Sequence, residues 1–270
     1  MTECEEIPRL RVVDETGSTN DDAKLLAMDG APSGTAVAAR RQTAGRGSRG
    51  RSWATVSGNL FLSVVLRPRV PMSAFVGLPA VCAYGVLDVL RREAGVRDAM
   101  LKWPNDLVLN GGKLCGLLVE AGSSAHGSYA VCGIGLNLAP RPRESAGAFD
   151  GPSSLPYACV ADCLGDARPG FEWFAEHVSA GVVSAARFWE DALASLPAGS
   201  GPLLPVLDGY LAALSYRGET VDVLAPDGSP MGCGTFVRVD EWGRAVVRFA
   251  GGLERALAFE QASIRPTTPR

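Results

Sequence analysis

Asn110-Gly111 sits between two apolar runs, Leu107-Val108-Leu109 and Leu114 to Val119. A tight two-residue hairpin needs positive φ at both central positions. Asn and Gly reach that region with little strain, so the dipeptide dictates an antiparallel pair with Lys113 heading its second strand. Other segments read as strands around it: Thr35 to Ala39, Asn59 to Leu66, and Ser128 to Leu138, which closes the sheet. Gly133 and Gly135 interrupt the last run and leave room for a ligand or another backbone to come close. Asn137 is a polar residue near its end, and buried asparagines satisfy backbone groups more often than they bind ligands.

Helical periodicity covers Ser73 to Glu93, with Gly95 as a stop, and Phe171 to Leu196, whose Phe171, Phe174, Val178, Val182, Ala185 and Trp189 share one side. Ala23 to Met28 is a shorter helix preceded by Ser18, Thr19 and Asn20. These are capping residues, and a cluster of hydroxyls and an amide at the positive end of a helix also suits a polar ligand group. Ala139 to Gly170 reads as loops around one brief helix. Leu196 to Pro202 reads as a linker, followed by a helix over Leu203 to Leu214. Thr220 to Leu224, Gly234 to Asp240, Arg244 to Phe249 and Ala256 to Ala258 are short strands separated by turns, as in a small barrel. The expected division is a catalytic unit over 1–200 and a helix plus small β domain over 201–270.

Arg41 to Trp53 cannot build a core: glycines alternate with arginines at Gly45-Arg46-Gly47-Ser48-Arg49-Gly50-Arg51, and an indole follows. Glycine lets successive N–H groups turn into one concavity, guanidinium forks match phosphate or carboxylate oxygens, and Trp53 offers a flat face to a base. The loop therefore suits a nucleotide. The net charge of the 270-residue chain is −3, which argues against a general nucleic-acid binder and makes the loop a local positive site. Gly112-Lys113 is not a phosphate-binding P-loop, since Leu114 stands where Ser or Thr would hold magnesium.

Lysine occurs only at Lys24, Lys102 and Lys113, so two of the three fall in one stretch. The seven cysteines are scattered and mostly apolar in context, which favours reduced thiols in a cytosol-like compartment. With only His126 and His177 available, a structural zinc site is not expected. No run of 18 or more apolar residues appears, so neither a membrane span nor a secretory leader is expected.

The ordered motifs are Gly-Ser-Thr-Asn at 17–20, Gln-x-Ala-Gly-Arg-Gly-x-Arg-Gly-Arg-x-Trp at 42–53, Lys-Trp-Pro-Asn-Asp at 102–106, Lys113-Leu-x-Gly and Gly-x-Gly-x-Asn at 133–137. Together they resemble the biotin protein ligases, over roughly residues 10 to 140. The resemblance implies an α+β fold: a mixed central sheet flanked by helices, as in class II synthetases, with a small C-terminal SH3-like β barrel. It implies ATP-dependent activation of biotin to biotinyl-5'-AMP and transfer to a lysine of a biotin carboxyl carrier domain, of acetyl-CoA carboxylase or another biotin-dependent carboxylase.

By the same resemblance Lys113 and Arg46 are catalytic. Ser18, Thr19, Asn20, Gln42, Gly45, Arg46, Gly47, Ser48, Lys113 and Gly116 bind biotin. Arg49, Arg51, Trp53, Asn105, Asp106, Lys113 and Asn137 bind ATP, with Asp106 and Asn137 as ligands of Mg2+. Many relatives carry arginine where this chain has Ser48, which removes one guanidinium from the cover over the adenylate. Sixteen residues precede the first motif, so a monofunctional ligase without a DNA-binding domain is expected, cytoplasmic, off the membrane, and monomeric or homodimeric. The alternatives are a lipoate or octanoate ligase and a non-catalytic biotin- or RNA-binding relative.

Overall fold

The computed structural model describes residues 10–50, 53, 55–141 and 155–267. Arg51 and the side chain of Arg49 lie outside the described residues. The first sheet has seven strands: β1 (Leu10–Thr16), β2 (Ala36–Gln42), β3 (Leu60–Leu66), β4 (Met100–Lys102), β5 (Asp106–Leu109), β6 (Gly112–Ser124) and β7 (Gly127–Leu136). Their order is β1-β2-β3-β7-β6-β5-β4. Only the β1–β2 pair is parallel, so the sheet is mixed. β7 does not close the sheet as its position in the sequence suggested; it is the central strand, which explains why it is apolar on both faces. The Asn110-Gly111 turn has φ of 49° and 77°, the pair of positive values the hairpin required.

Strand alternation divides the sheet into two chemically different faces. Leu60, Leu62, Val64 and Leu66 of β3 face the main core, with Ala130, Cys132, Ile134 and Leu136 of β7. The alternate residues Val65, Tyr129 and Val131 form a second, small cluster with Ala23 and Ala27 of α1 (Thr19–Met28). Helices α2 (Leu78–Asp88) and α4 (Phe171–Ala194) cover the main-core face. α2 is buried nearly all round, and at Gly85 an added Cβ would lie 2.8 Å from the Gly181 carbonyl of α4, so the two helices meet backbone to backbone. By length and composition the helical stretch Met72–Glu93 is apolar enough to cross a membrane, and 67% of its window is buried inside the protein. Among the described residues, the face opposite α2 and α4 carries α1 as its only helix, with Trp53 beside it, and leaves room for a site.

Two short helices, α3 (Ala161–Leu164) and α5 (Leu207–Ala212), flank α4 in sequence. The second sheet comprises β8 (Thr220–Leu224), β9 (Pro230–Val239), β10 (Ala245–Phe249), β11 (Glu254–Leu257) and β12 (Ser263–Pro266), in the order β11-β10-β9-β8-β12. Every pairing in it is antiparallel. β11 and β12 are its two edges and do not pair with each other, so it is an open sheet rather than the closed barrel expected. β12 had no counterpart in the sequence reading. Phe236, Val239, Val247 and Ile264 of this sheet join the same buried cluster as the first sheet. The stretch expected to be a linker is exposed at Pro197, Ala198 and Gly199 but packed at its end, where Gly201 and Pro202 are buried and Trp189 Nε1 donates to Pro202 O at 2.5 Å. Just beyond it Leu203 N donates to Glu241 O at 2.9 Å, and Trp103 Nε1 donates to Gly243 O at 2.8 Å.

Candidate active site

Three glycines on the open face of the sheet create its floor. Ser63 of β3 pairs with Gly133 of β7, and Gly116 of β6 pairs with Gly135. An added Cβ at Gly133 would strike the Asn20 amide, and one at Gly135 would strike the Trp53 indole. At Gly116 it would lie 2.6 Å from the same indole. The Gly-x-Gly signature thus seats one expected site residue over each glycine: Asn20 at one position, Trp53 two residues on.

The Asn20 end is a network of neutral groups tied to one carboxylate, that of Glu120. Ser18 caps α1 without a side-chain capping bond and is only 4% exposed. Thr19 donates its backbone N–H to Gln42 Oε1 at 2.8 Å, and its hydroxyl lies 3.0 Å from the same oxygen. Ser63 Oγ donates to Asn20 Oδ1 at 2.6 Å and lies 2.8 Å from Thr19 Oγ1. An amide oxygen can only accept, so Gln42 keeps its oxygen turned to Thr19 and its Nε2 outward, toward Gly45. Ser63 was missed in the sequence reading. Its signal was there: a lone hydroxyl, fully buried, in a strand buried at every position.

The opposite end is ionic. Lys113 Nζ pairs with Asp106 Oδ1 at 2.8 Å, and Lys102 Nζ lies 3.7 Å from Asp106 Oδ2. Among the described residues two ammonium groups stand against one carboxylate, an end with net positive charge suited to an anion. Lys113 Nζ also sits 5.0 Å from the Trp53 ring centroid, a cation–π contact. The Lys113 backbone is clamped on both sides: its N–H donates to Pro156 O at 2.6 Å, and its carbonyl accepts from Ala158 N and Asn137 Nδ2, each at 3.0 Å.

Asn137 spends its second amide hydrogen on Ala158 O at 3.0 Å, while its Oδ1 accepts from Asn59 Nδ2 at 3.0 Å. Tyr157 completes this cluster, donating to Ala139 O at 2.6 Å, and burial pushes its phenol up to about 12. Asn59 and Tyr157 went unnoticed in the sequence, the latter because nothing in its surroundings there marks it.

Both residues of the expected magnesium pair have protein partners in this arrangement. Both hydrogens of the Asn137 amide are engaged and its oxygen accepts from Asn59, and among the described residues the Asp106 carboxylate faces two ammonium groups. Among the described residues no group of three or more His, Cys, Asp or Glu could hold a metal. Asn105 also faces its own chain: its side-chain amide donates to Leu117 O, and Leu117 N returns a bond to Asn105 O at 2.9 Å, which ties the start of β5 to the middle of β6.

The glycine–arginine loop is anchored at its base and latched across the mouth. Ala44 N donates to Gly17 O at 2.8 Å, and Trp53 N to Gly45 O at 2.9 Å, which brings the loop back on itself. Arg46 Nη2 reaches Asp21 Oδ1 at 2.6 Å and Glu120 Oε2 at 3.0 Å. Gly47 and Ser48 are half-buried, Ser48 opening a short 3-10 turn to Gly50. Burial raises the Cys115 thiol beside Asp106, so this cysteine close to the ionic end is held protonated.

Comparison with known proteins matches residues 12–137 to the biotin/lipoate A/B protein ligase family. A biotin--[acetyl-CoA-carboxylase] ligase of Paracoccus denitrificans is 34% identical over 91% of this chain and 96% of its own length. A ligase of the same name from Mycobacterium tuberculosis is 41% identical, over 50% of this chain and 52% of that protein. Among solved structures, the biotin protein ligase from Aquifex aeolicus in complex with biotin and ATP superposes with a TM-score of 0.75. It is 23% identical, covering 96% of this chain and 99% of that one, which establishes the shared fold. The chain belongs to the biotin/lipoate A/B protein ligase family.

Proposed function

We propose that this chain is a biotin protein ligase: it activates biotin with ATP to biotinyl-5'-AMP and passes the biotinyl group to a lysine of a biotin carboxyl carrier domain. The observation that carries this reading is the placement, on one face of one sheet, of a neutral hydrogen-bonding head at Ser18, Thr19, Asn20 and Gln42 and a net positive end at Lys113. Biotin has the matching polarity: a cyclic urea at one end, a carboxylate at the other, and an apolar chain between.

In the first step a biotin carboxylate oxygen attacks the α-phosphorus of ATP, and the bond to the β-phosphate oxygen breaks to release pyrophosphate. Two anions must approach each other, so a positioned cation lowers the barrier. Lys113 takes that role, exchanging its Asp106 partner for ligand oxygens, and Arg46 closes over the product from the loop side. Trp53, seated on Gly116 and Gly135, offers its exposed face to the ligand. Gly45, Gly47, Ser48, Arg49 and Arg51 belong to the cover that keeps water from the mixed anhydride. Asp106 and Asn105 hold the Lys113 end in place, and Asn137 does the same for the Lys113 backbone. Magnesium enters in this reading with ATP, as part of the substrate.

In the second step the ε-amine of the acceptor lysine attacks the anhydride carbonyl, AMP leaves, and the amine loses a proton. The reaction is assigned to the cytoplasm, where ATP and unmodified carrier domains meet. A lipoate-specific activity is the second reading within the family, and the buried head weighs against it. A dithiolane ring offers no hydrogen bond to the Gln42 Nε2 or the Ser18 hydroxyl, and leaving such groups unpaired in a closed site costs about 1–3 kcal/mol each. Biotin-dependent exchange of pyrophosphate into ATP tests the proposal. Wild type is expected to be active with biotin and inactive with lipoate, and the reverse result would overturn the reading.

A further inference from the structure

The neutral head and the arginine loop meet at a single carboxylate. Glu120 lies on the site face of β6, and its Oε2 accepts from Asn20 Nδ2 at 2.8 Å and from Arg46 Nη2 at 3.0 Å. Its Oε1 lies 3.4 Å from Arg46 Nη1. Asn20 is held from its other side by Ser63, so its amide has one orientation and its nitrogen must face Glu120. Arg46 is held from its other side by Asp21. The two carboxylates are unequal partners: the Glu120 side chain is 28% exposed and that of Asp21 59%, so solvent screens the Asp21 pair more.

We infer that Glu120 is a positioning residue, which acts through Arg46 and Asn20 and keeps the arginine loop in register with the head of the pocket. This rests on the biotin-activating reading for its consequence, though not for its geometry. A ligand head packed against Asn20 fixes the amide, the amide fixes the carboxylate, and the carboxylate fixes the guanidinium that closes the mouth. Gln at position 120 would keep the shape and one accepting oxygen but lose the charge, leaving Arg46 with its exposed Asp21 partner alone. Charge-assisted bonds of this kind, partly screened, correspond to about a tenfold change in the equilibrium they hold.

Two measurements on the full chain test this separately. In the ligand-free protein, trypsin cleavage after Arg46, followed by mass spectrometry, is expected to run about fivefold faster in Glu120→Gln than in wild type. Glu120→Asp, which keeps the charge, is expected to recover part of the protection. Unchanged cleavage in Glu120→Gln would overturn the tie between Glu120 and the loop. The second measurement is the rate at which preformed biotinyl-AMP dissociates. Glu120→Gln is expected to raise it about tenfold in the Arg46 background and less than twofold in Arg46→Ala, because the effect passes through the guanidinium. Equal factors in both backgrounds would reduce Glu120 to a structural residue and sink the inference. If wild type forms no biotinyl-AMP while the cleavage difference stands, the functional reading fails and the positioning role of Glu120 survives.

Discussion

The two ends of the pocket are built from different bonds. At the head, Ser18, Thr19, Asn20, Gln42 and Ser63 are neutral and buried, and donors and acceptors there have fixed directions. At the other end, Lys113, Lys102 and Asp106 form ion pairs that a ligand anion can enter by exchange, and the Lys113 side chain is 28% exposed. A preset neutral network selects, because a ligand that fails to match it leaves buried groups unpaired. Exchangeable charges do chemistry, because they are strongest where negative charge accumulates in the transition state. The difference predicts that mutations at the two ends separate into affinity effects and rate effects.

The largest effect should come from the ionic end. Lys113→Ala is expected to lower biotin-dependent ATP–pyrophosphate exchange about 1000-fold while changing biotin affinity without ATP less than tenfold. Exchange kinetics and calorimetry of biotin alone measure the two sides. Equal losses in both would show that Lys113 is a general anchor and would break the division. Next in size is the head. Ser63→Ala leaves Asn20 Oδ1 buried without its donor, and the biotin Kd should rise about 10- to 100-fold with kcat unaltered. A fall in kcat with Kd unchanged would place Ser63 on the chemical side instead.

Asp106→Asn should produce a smaller and opposite-sided effect. It removes the resting partner of Lys113 and frees the ammonium to wander, so kcat should fall about tenfold while the biotin Kd stays within a factor of two. Pre-steady-state adenylate formation is the measurement. A rise in Kd equal to the fall in rate would join the two ends into one unit.

What was legible in the sequence follows the same division. Asn110-Gly111 dictated its hairpin because the turn is local chemistry, and Ser18 stands at the N-cap of its helix, though its side chain makes no capping bond. The position of β7 was not legible: local pattern identifies a strand, while its neighbours depend on how distant segments pair, and the 10-residue β7 lies between β3 and β6. The role of Gly133 and Gly135 was half legible. The room they make could be read from their lack of Cβ, but that Asn20 fills one space and Trp53 the other depends on contacts over a hundred and over eighty residues of chain. Asn137 shows the same limit. An asparagine in a motif rich in ligand-binding residues reads as a ligand, and only its partners Asn59, Lys113 and Ala158 reveal that its amide is already engaged. Open edges were equally invisible, which is why the second sheet was read as a barrel: strand spacing is the same whether or not β11 and β12 meet.

The smallest effect belongs to the loop that bridges the two ends. Ser48 interrupts the run of arginines and opens the 3-10 turn Ser48–Gly50, half-buried beside the latch made by Arg46. Ser48→Arg adds a guanidinium to the cover over the adenylate without touching either the neutral network or Lys113. An exposed charge at that distance is worth a fraction of a kcal/mol to about 1 kcal/mol, so dissociation of biotinyl-AMP should slow about two- to fivefold. Biotin affinity without nucleotide should not move. The dissociation rate at two salt concentrations checks the cause, since a gain that comes from charge shrinks as salt rises. Identical rates for wild type and variant at both would show that Arg46, tied to Asp21 and Glu120, already supplies all the closure the loop can give.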